Sequence, residues 1–352
     1  MSRILAITAA FAALATPAGA RTLPPPSFGG RHAAHASQPV SWAERQIEVV
    51  VAHGLMAKTV QSFRPNDQLT RAALASLVAG LTASAPLPTV QSSAPVTIAQ
   101  LDASLVRALN LTDAAVAFAG AARQAGLAPP SRFGTEVVAR LLGLRTDHPA
   151  KLDYLELLPN QPATRAEAAY SAAQILGFGG WETQNIEQLA QAFQLPSLTP
   201  WQQRILTTAV QFIGFPYVWG GTSEGPEAPF GVKAPGGFDC SGFVWRVYKL
   251  QAYANEGPLA GTLRGRTTFA MSGEVPLSKR ISFAHLQPGD VLFWGARGPH
   301  SSPAEVNHTG IYLGGGWFIH SSGYGVALAQ LSDWYKQRFA WARRPLAEAG
   351  LG

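Results

Sequence analysis

The stretch Gly237-Phe238-Asp239-Cys240-Ser241-Gly242-Phe243-Val244 places the only cysteine of the 352-residue chain at what reads as the start of a helix. Asp239 is a natural N-cap, and Phe243, Val244, Val247 and Tyr248 give the following residues a helical apolar face. A thiol in a first turn faces unpaired backbone N–H groups and the positive end of the helix dipole, which favours the thiolate. Upstream, a helix over Gln203 to Phe212 runs into Gly214-Phe215-Pro216-Tyr217-Val218-Trp219-Gly220-Gly221. A polar loop then leads to the cysteine.

A thiolate nucleophile needs a base held beside it. Downstream, Val306-Asn307-His308-Thr309-Gly310-Ile311-Tyr312-Leu313 alternates as a strand, Gly314-Gly315-Gly316 is a turn, and Trp317-Phe318-Ile319-His320 returns. If the hairpin is symmetric about Gly315, His320 lies opposite Gly310, on the face of His308. The two histidines are then diagonal neighbours, roughly 7 Å apart at the backbone. His308 is the candidate base and His320 the group that fixes its tautomer. A zinc site from Cys240, His308 and His320 is the metal-based rival, but no second cysteine or fourth ligand accompanies it, and no metal or other cofactor is expected. His285 and His300 lack such surroundings and read as loop or structural residues.

These motifs, with the Pro288-Gly289-Asp290 turn before Val291-Leu292-Phe293-Trp294, resemble the NlpC-type cell-wall cysteine peptidases, a papain-like family, over residues 200–346. The resemblance implies an α+β domain whose cysteine helix packs on an antiparallel sheet carrying the histidines. It implies cleavage of peptidoglycan stem peptides between the γ-carboxyl of D-glutamate and the following diamino acid. By position, Cys240 attacks the carbonyl, His308 is base and then acid, and His320 orients it. Tyr217, Trp219, Asp239 and Ser241 are expected to line the substrate site, with Asp239 able to pair with a free amino end. The segments 222–236 and 298–305 read as insertions bordering the cleft.

The N-terminal half reads as a helical repeat region. Pro65-Asn66-Asp67-Gln68-Leu69-Thr70-Arg71-Ala72 recurs as Pro159-Asn160-Gln161-Pro162-Ala163-Thr164-Arg165-Ala166, each Thr capping a helix. Ser41 with Glu44, and Thr164 with Glu167, are spaced as capping boxes. With its Trp-Ala start and Gly54-Leu55 turn, the segment from Ser41 to Leu81 resembles a surface-layer homology repeat, and 159–176 matches in part. That likeness implies that residues 41–180 bind anionic cell-wall polymers. The alternative is a wall-binding scaffold whose peptidase fold is idle. Residues 181–199, ending in Leu195-Pro196-Ser197-Leu198-Thr199-Pro200, read as a linker.

The first twenty residues read as a secretory signal: Arg3, an apolar run from Ile4 to Leu14, and the small-residue site Ala18-Gly19-Ala20. Residues 21–40 read as a disordered leader. The apolar run is too short for a membrane span and no second one follows. The expected location is therefore the cell wall or the medium. The net charge of +6 suits an anionic partner without requiring one, and no basic run interleaved with aromatics suggests a nucleic acid.

Overall fold

The computed structural model describes residues 41–83 and 92–352. The expected signal and leader lie outside them. Among the described residues the N-terminal half holds seven α-helices, α1 (Glu44–Ala52), α2 (Arg71–Leu81), α3 (Ile98–Ala108), α4 (Thr112–Gln124), α5 (Phe133–Leu141), α6 (Arg165–Leu176) and α7 (Trp181–Ala192), with a 3-10 turn over Ala150–Leu155.

The repeated Thr-Arg-Ala starts behave as read. Thr70 Oγ1 accepts from Ala73 N–H and Thr164 Oγ1 from Glu167 N–H, both at 3.2 Å. The expected capping boxes do not close. Ala43, not Ser41, is the N-cap of α1 and carries no side-chain cap, while Ser41 Oγ accepts from Ala43 N–H. Glu167 turns inward to Arg145 Nη1 at 2.8 Å, because a buried guanidinium outbids a backbone N–H for a carboxylate. That arginine also makes a fork to Asp102, which Arg140 contacts as well.

The segment expected as a linker is a correction. Most of it is α7, whose Ile186, Leu189 and Ala190 recur at helical spacing and are buried. Phe193, just beyond it, is fully buried, its ring 5.3 Å from Phe118 and 5.1 Å from Trp317. The chain then starts α8 (Pro200–Gln211) through a closed capping box between Thr199 and Gln202.

The C-terminal half opens with a short hairpin of β1 (Thr222–Ser223) and β2 (Gly237–Phe238). Next comes α9 (Cys240–Trp245), extended by a π turn over Arg246–Leu250, then α10 (Leu259–Thr262) and α11 (Thr268–Gly273). A five-stranded sheet follows: β3 (Val291–Gly295), β4 (Val306–Gly314), β5 (Trp317–Ser322), β6 (Gly325–Gln330) and β7 (Phe339–Arg343). Its order is β6-β5-β4-β3-β7, antiparallel throughout, as expected. Two short helices, α12 (Asp333–Arg338) and α13 (Pro345–Glu348), flank the last strand.

One hydrophobic core runs through both halves, from Ile47 and Phe63 to Ile311 and Val326. Polar contacts cross the same boundary. Arg140 Nη2 donates to Gly214 O at 2.6 Å, Arg132 Nε to Ile213 O at 3.2 Å, and Asp147 N–H to Gly323 O at 2.9 Å. The helical half is therefore built onto the sheet domain rather than tethered to it.

Candidate active site

Asp239 caps α9 as expected, its Oδ1 accepting from Gly242 N–H at 2.5 Å and from Ser241 Oγ at 3.0 Å. Gly242 is required here by contact. A Cβ on it would sit 1.9 Å from Gly221 O, so the helix approaches the Tyr-Val-Trp-Gly-Gly loop more closely than any side chain permits. Cys240 is thereby fixed where the loop, the helix and the sheet meet.

The thiol is buried, with only 8% of the residue exposed. Burial first, and the Asp239 charge second, push Cys240 up to about 12, against the pull of N–H groups of Thr309 and Ser241 and of the Arg266 charge. The helix-start argument for a ready-made thiolate therefore loses to desolvation. At neutral pH the group is a thiol.

The histidines meet as their spacing implied. β4 and β5 pair Ile311 with Ile319 and Tyr312 with Phe318, which sets His320 against Gly310. A Cβ on Gly310 would lie 3.0 Å from His320 Cβ. His308 Nε2 and His320 Nδ1 are 2.7 Å apart. Trp294, Phe318 and Tyr335 wall the pair, with ring centroids 5.4, 4.8 and 5.5 Å from the imidazole each one touches. Burial drives His308 down to about 4 and His320 down as well, so both rings are neutral. Nε2 of His308 is engaged with His320, which leaves Nδ1 as its other ring nitrogen. If Nδ1 accepts, Nε2 carries the hydrogen and donates to His320. The N–H of Thr309, the residue after His308, points at Cys240 sulfur, and α9 packs against both β4 and β5.

The expected substrate residues divide into two sets. Trp219 is 55% exposed and Phe230, from the 222–236 segment, covers Gly220, so that segment does border the aromatic loop. Tyr217 is buried against Cys240 and Asp239, and its hydroxyl is pushed well up by burial. Asp239 and Ser241, by contrast, are occupied. Arg266 Nη1 donates to Asp239 Oδ1 at 3.1 Å and Ser241 Oγ at 2.7 Å, and Nη2 to Asp239 Oδ2 at 3.2 Å. Gly220 N–H takes the remaining side of that carboxylate at 3.0 Å. Asp239 is thus a structural anion already neutralised, not a free partner for an ammonium.

The sequence reading missed Arg266 and also Asp153. Arg266 stands one residue before Thr267, the cap of α11, and nothing in Arg264-Gly265-Arg266 marks it. Asp153 comes from the helical half, and its Oδ2 accepts from Trp219 N–H at 3.1 Å. Burial raises it to about 6. His285 bonds Ser282 Oγ in a turn and His300 ends another, so neither joins the site.

Comparison with known proteins follows the same division. The NlpC/P60 family model matches residues 214–344, and the S-layer homology domain model matches residues 37–75. Residues 214–344 are an NlpC/P60 domain. Protein P54 of Enterococcus faecium is 36% identical over 138 residues, 39% of this chain and 21% of that protein. The probable peptidoglycan endopeptidase LytE of Bacillus subtilis is 33% identical, over 40% of this chain and 34% of its own. The gamma-D-glutamyl-L-lysine dipeptidyl-peptidase of the same species is 29% identical, over 41% of each. This chain thus spans about a fifth to two fifths of the length of these relatives. Among the described residues, no single helix is long and apolar enough to cross a membrane.

Proposed function

We propose that the chain is a cell-wall endopeptidase that hydrolyses peptidoglycan stem peptides, at the bond between the D-glutamate γ-carboxyl and the next diamino acid. The observation that carries this reading is the 2.7 Å contact between His308 and His320 on strands packed under the cysteine helix. The NlpC/P60 match and the names of the relatives support the substrate class.

The chemistry follows from a neutral thiol beside a neutral imidazole pair. His308 Nδ1 takes the proton as Cys240 sulfur bonds to the amide carbon, giving a tetrahedral oxyanion held by N–H groups at the helix start. His320 accepts from Nε2 and stabilises the imidazolium. That ring returns its proton to the departing amine as the C–N bond breaks, leaving a thioester. Water then attacks the thioester with His308 again as base, releasing the carboxylate and the thiol. Trp219 lies open to a ligand beside this centre.

We infer further that the N-terminal helices hold the enzyme at the wall, supported by the S-layer homology match. Muropeptide mass analysis after digestion tests the first claim: new amino termini on diamino acids are expected, absent with Cys240→Ala. Identical products from that variant would refute it. Sedimentation with purified walls tests the second, and protein staying in the supernatant would count against anchoring. Binding without cleavage would favour the idle scaffold.

A further inference from the structure

We propose that Arg266 is a positioning residue for the nucleophile: its guanidinium ties Asp239, Ser241 and the Gly220–Gly221 carbonyls into one rigid turn and balances the carboxylate beside Cys240. This rests on Cys240 as the reacting thiol. The starting observation is an apparent conflict. Asp239 is the helix cap that sets Cys240 in place, yet its negative charge next to the sulfur opposes the thiolate that attack must generate. A neutral cap such as serine would avoid the conflict. Here the charge is retained and a cation is placed against it.

Arg266 reaches every part of the turn. Nη1 bonds Asp239 Oδ1 and Ser241 Oγ; Nη2 bonds Asp239 Oδ2 and the carbonyl oxygens of Gly220 and Gly221, both at 3.1 Å. The side chain is 28% exposed and the Asp239 side chain 13%, so solvent screens the pair only in part. Five acceptors, two of them carbonyls, share the four hydrogens of the two Nη groups, one bond being bifurcated; holding them in one plane needs a guanidinium, since an ammonium has only three donors and no fixed plane. The same fork holds the loop that carries Tyr217 and Trp219 against the helix that carries the thiol. Tyr217 from that loop also faces the sulfur, and α9 packs on β4 and β5, the strands that carry His308 and His320; Glu227 from the β1–β2 hairpin faces the Asp239–Arg266 pair, and Asp147 and Asp153 act on Tyr217. Burial keeps the two imidazoles uncharged, and Arg266 is the cation whose field favours the Cys240 thiolate against the Asp239 charge.

The single cysteine makes a direct test possible, because alkylation by iodoacetamide reports on Cys240 alone. Alkylation rate against pH is measured for the full chain, for Arg266→Gln and for Asp239→Asn, which keeps a capping side chain. Arg266→Gln leaves the carboxylate unbalanced and is expected to slow alkylation at pH 7 by about tenfold, its profile displaced upward by about one unit. Asp239→Asn leaves the cation unbalanced and is expected to move the profile the opposite way. Arg266→Lys keeps the charge but not the fork, so its profile stays near wild type while stem-peptide hydrolysis falls. An Arg266→Gln profile superimposed on wild type overturns the proposal, as do shifts of the two variants in the same direction. If Arg266→Gln does not fold, Asp239→Asn decides alone: no downward shift ends the idea. A wild type that alkylates as expected but cleaves no stem peptide would refute the proposed function and leave this inference standing.

Discussion

His308 and His320 form a hydrogen-bonded pair in a desolvated pocket, and both properties have measurable consequences. Removing the partner leaves His308 free to rotate and to adopt the wrong tautomer. His320→Ala is expected to lower kcat by about a hundredfold or more with little change in KM, and His320→Asn to recover part of the loss; both are read from steady-state hydrolysis of a stem peptide. The pH dependence has a definite sign. Burial lowers His308 from the ordinary 6.5 to about 4, so the basic form persists further into acid than a solvent-exposed histidine would allow. The acid limb of kcat/KM should therefore lie well below 6.5. Folding stability carries the same sign: the unfolded chain binds the proton more readily, so stability is full above about 6.5 and falls as pH drops toward 4, visible as a declining Tm. At this scale much was readable in advance. A strand-turn-strand pattern fixes side-chain faces by counting alone, which is why the histidine contact followed from spacing. The charge state of Cys240 did not follow, because helix dipole and burial oppose each other and only coordinates give the burial. Arg266 was invisible for a similar reason: its five partners come from two segments at least 25 residues away in sequence.

Elements here are positioned by close backbone approach as much as by side-chain packing. The helix α9 comes so near the Gly220–Gly221 turn that Gly242 has no room for a methyl group. Gly242→Ala is expected to destabilise by about 1–3 kcal/mol, as overpacked sites do, and to reduce activity more than Tm alone would explain, because the displaced turn carries Cys240. Denaturant unfolding beside a hydrolysis assay separates the two effects. A control lies at α8, where Thr199→Ala removes a cap remote from the thiol and should cost about 1 kcal/mol with kcat unchanged. Helix starts marked by Thr were legible because a cap is a local device. Which glutamate completes a box was not, since Glu167 answers to Arg145, 22 residues away.

On the scale of the whole molecule, the two halves share apolar surface. Phe118, Phe193 and Trp317 meet across the boundary, and Trp317 Nε1 donates to Ala192 O at 3.3 Å. Phe193→Ala should cost about 3–5 kcal/mol and lower a single cooperative transition rather than splitting it in two. Residues 198–352 made alone should expose the Trp317 face and bind a hydrophobic dye or aggregate; a soluble, fully active fragment with an unchanged Tm would contradict the shared core. The sequence suggested two independent units because Pro196 and Pro200 look like punctuation, whereas α7 before them announces its buried face only through Ile186, Leu189 and Ala190.

That aromatic seam constrains how such a chain can be recombined. A catalytic unit spliced out and fused to a foreign anchor would carry an unsatisfied greasy flank into the chimera, and a different catalytic unit spliced in would find no matching flank on the helices. Gene fusion therefore has to exchange both parts together, or rebuild Phe193 and its neighbours on each side of the cut.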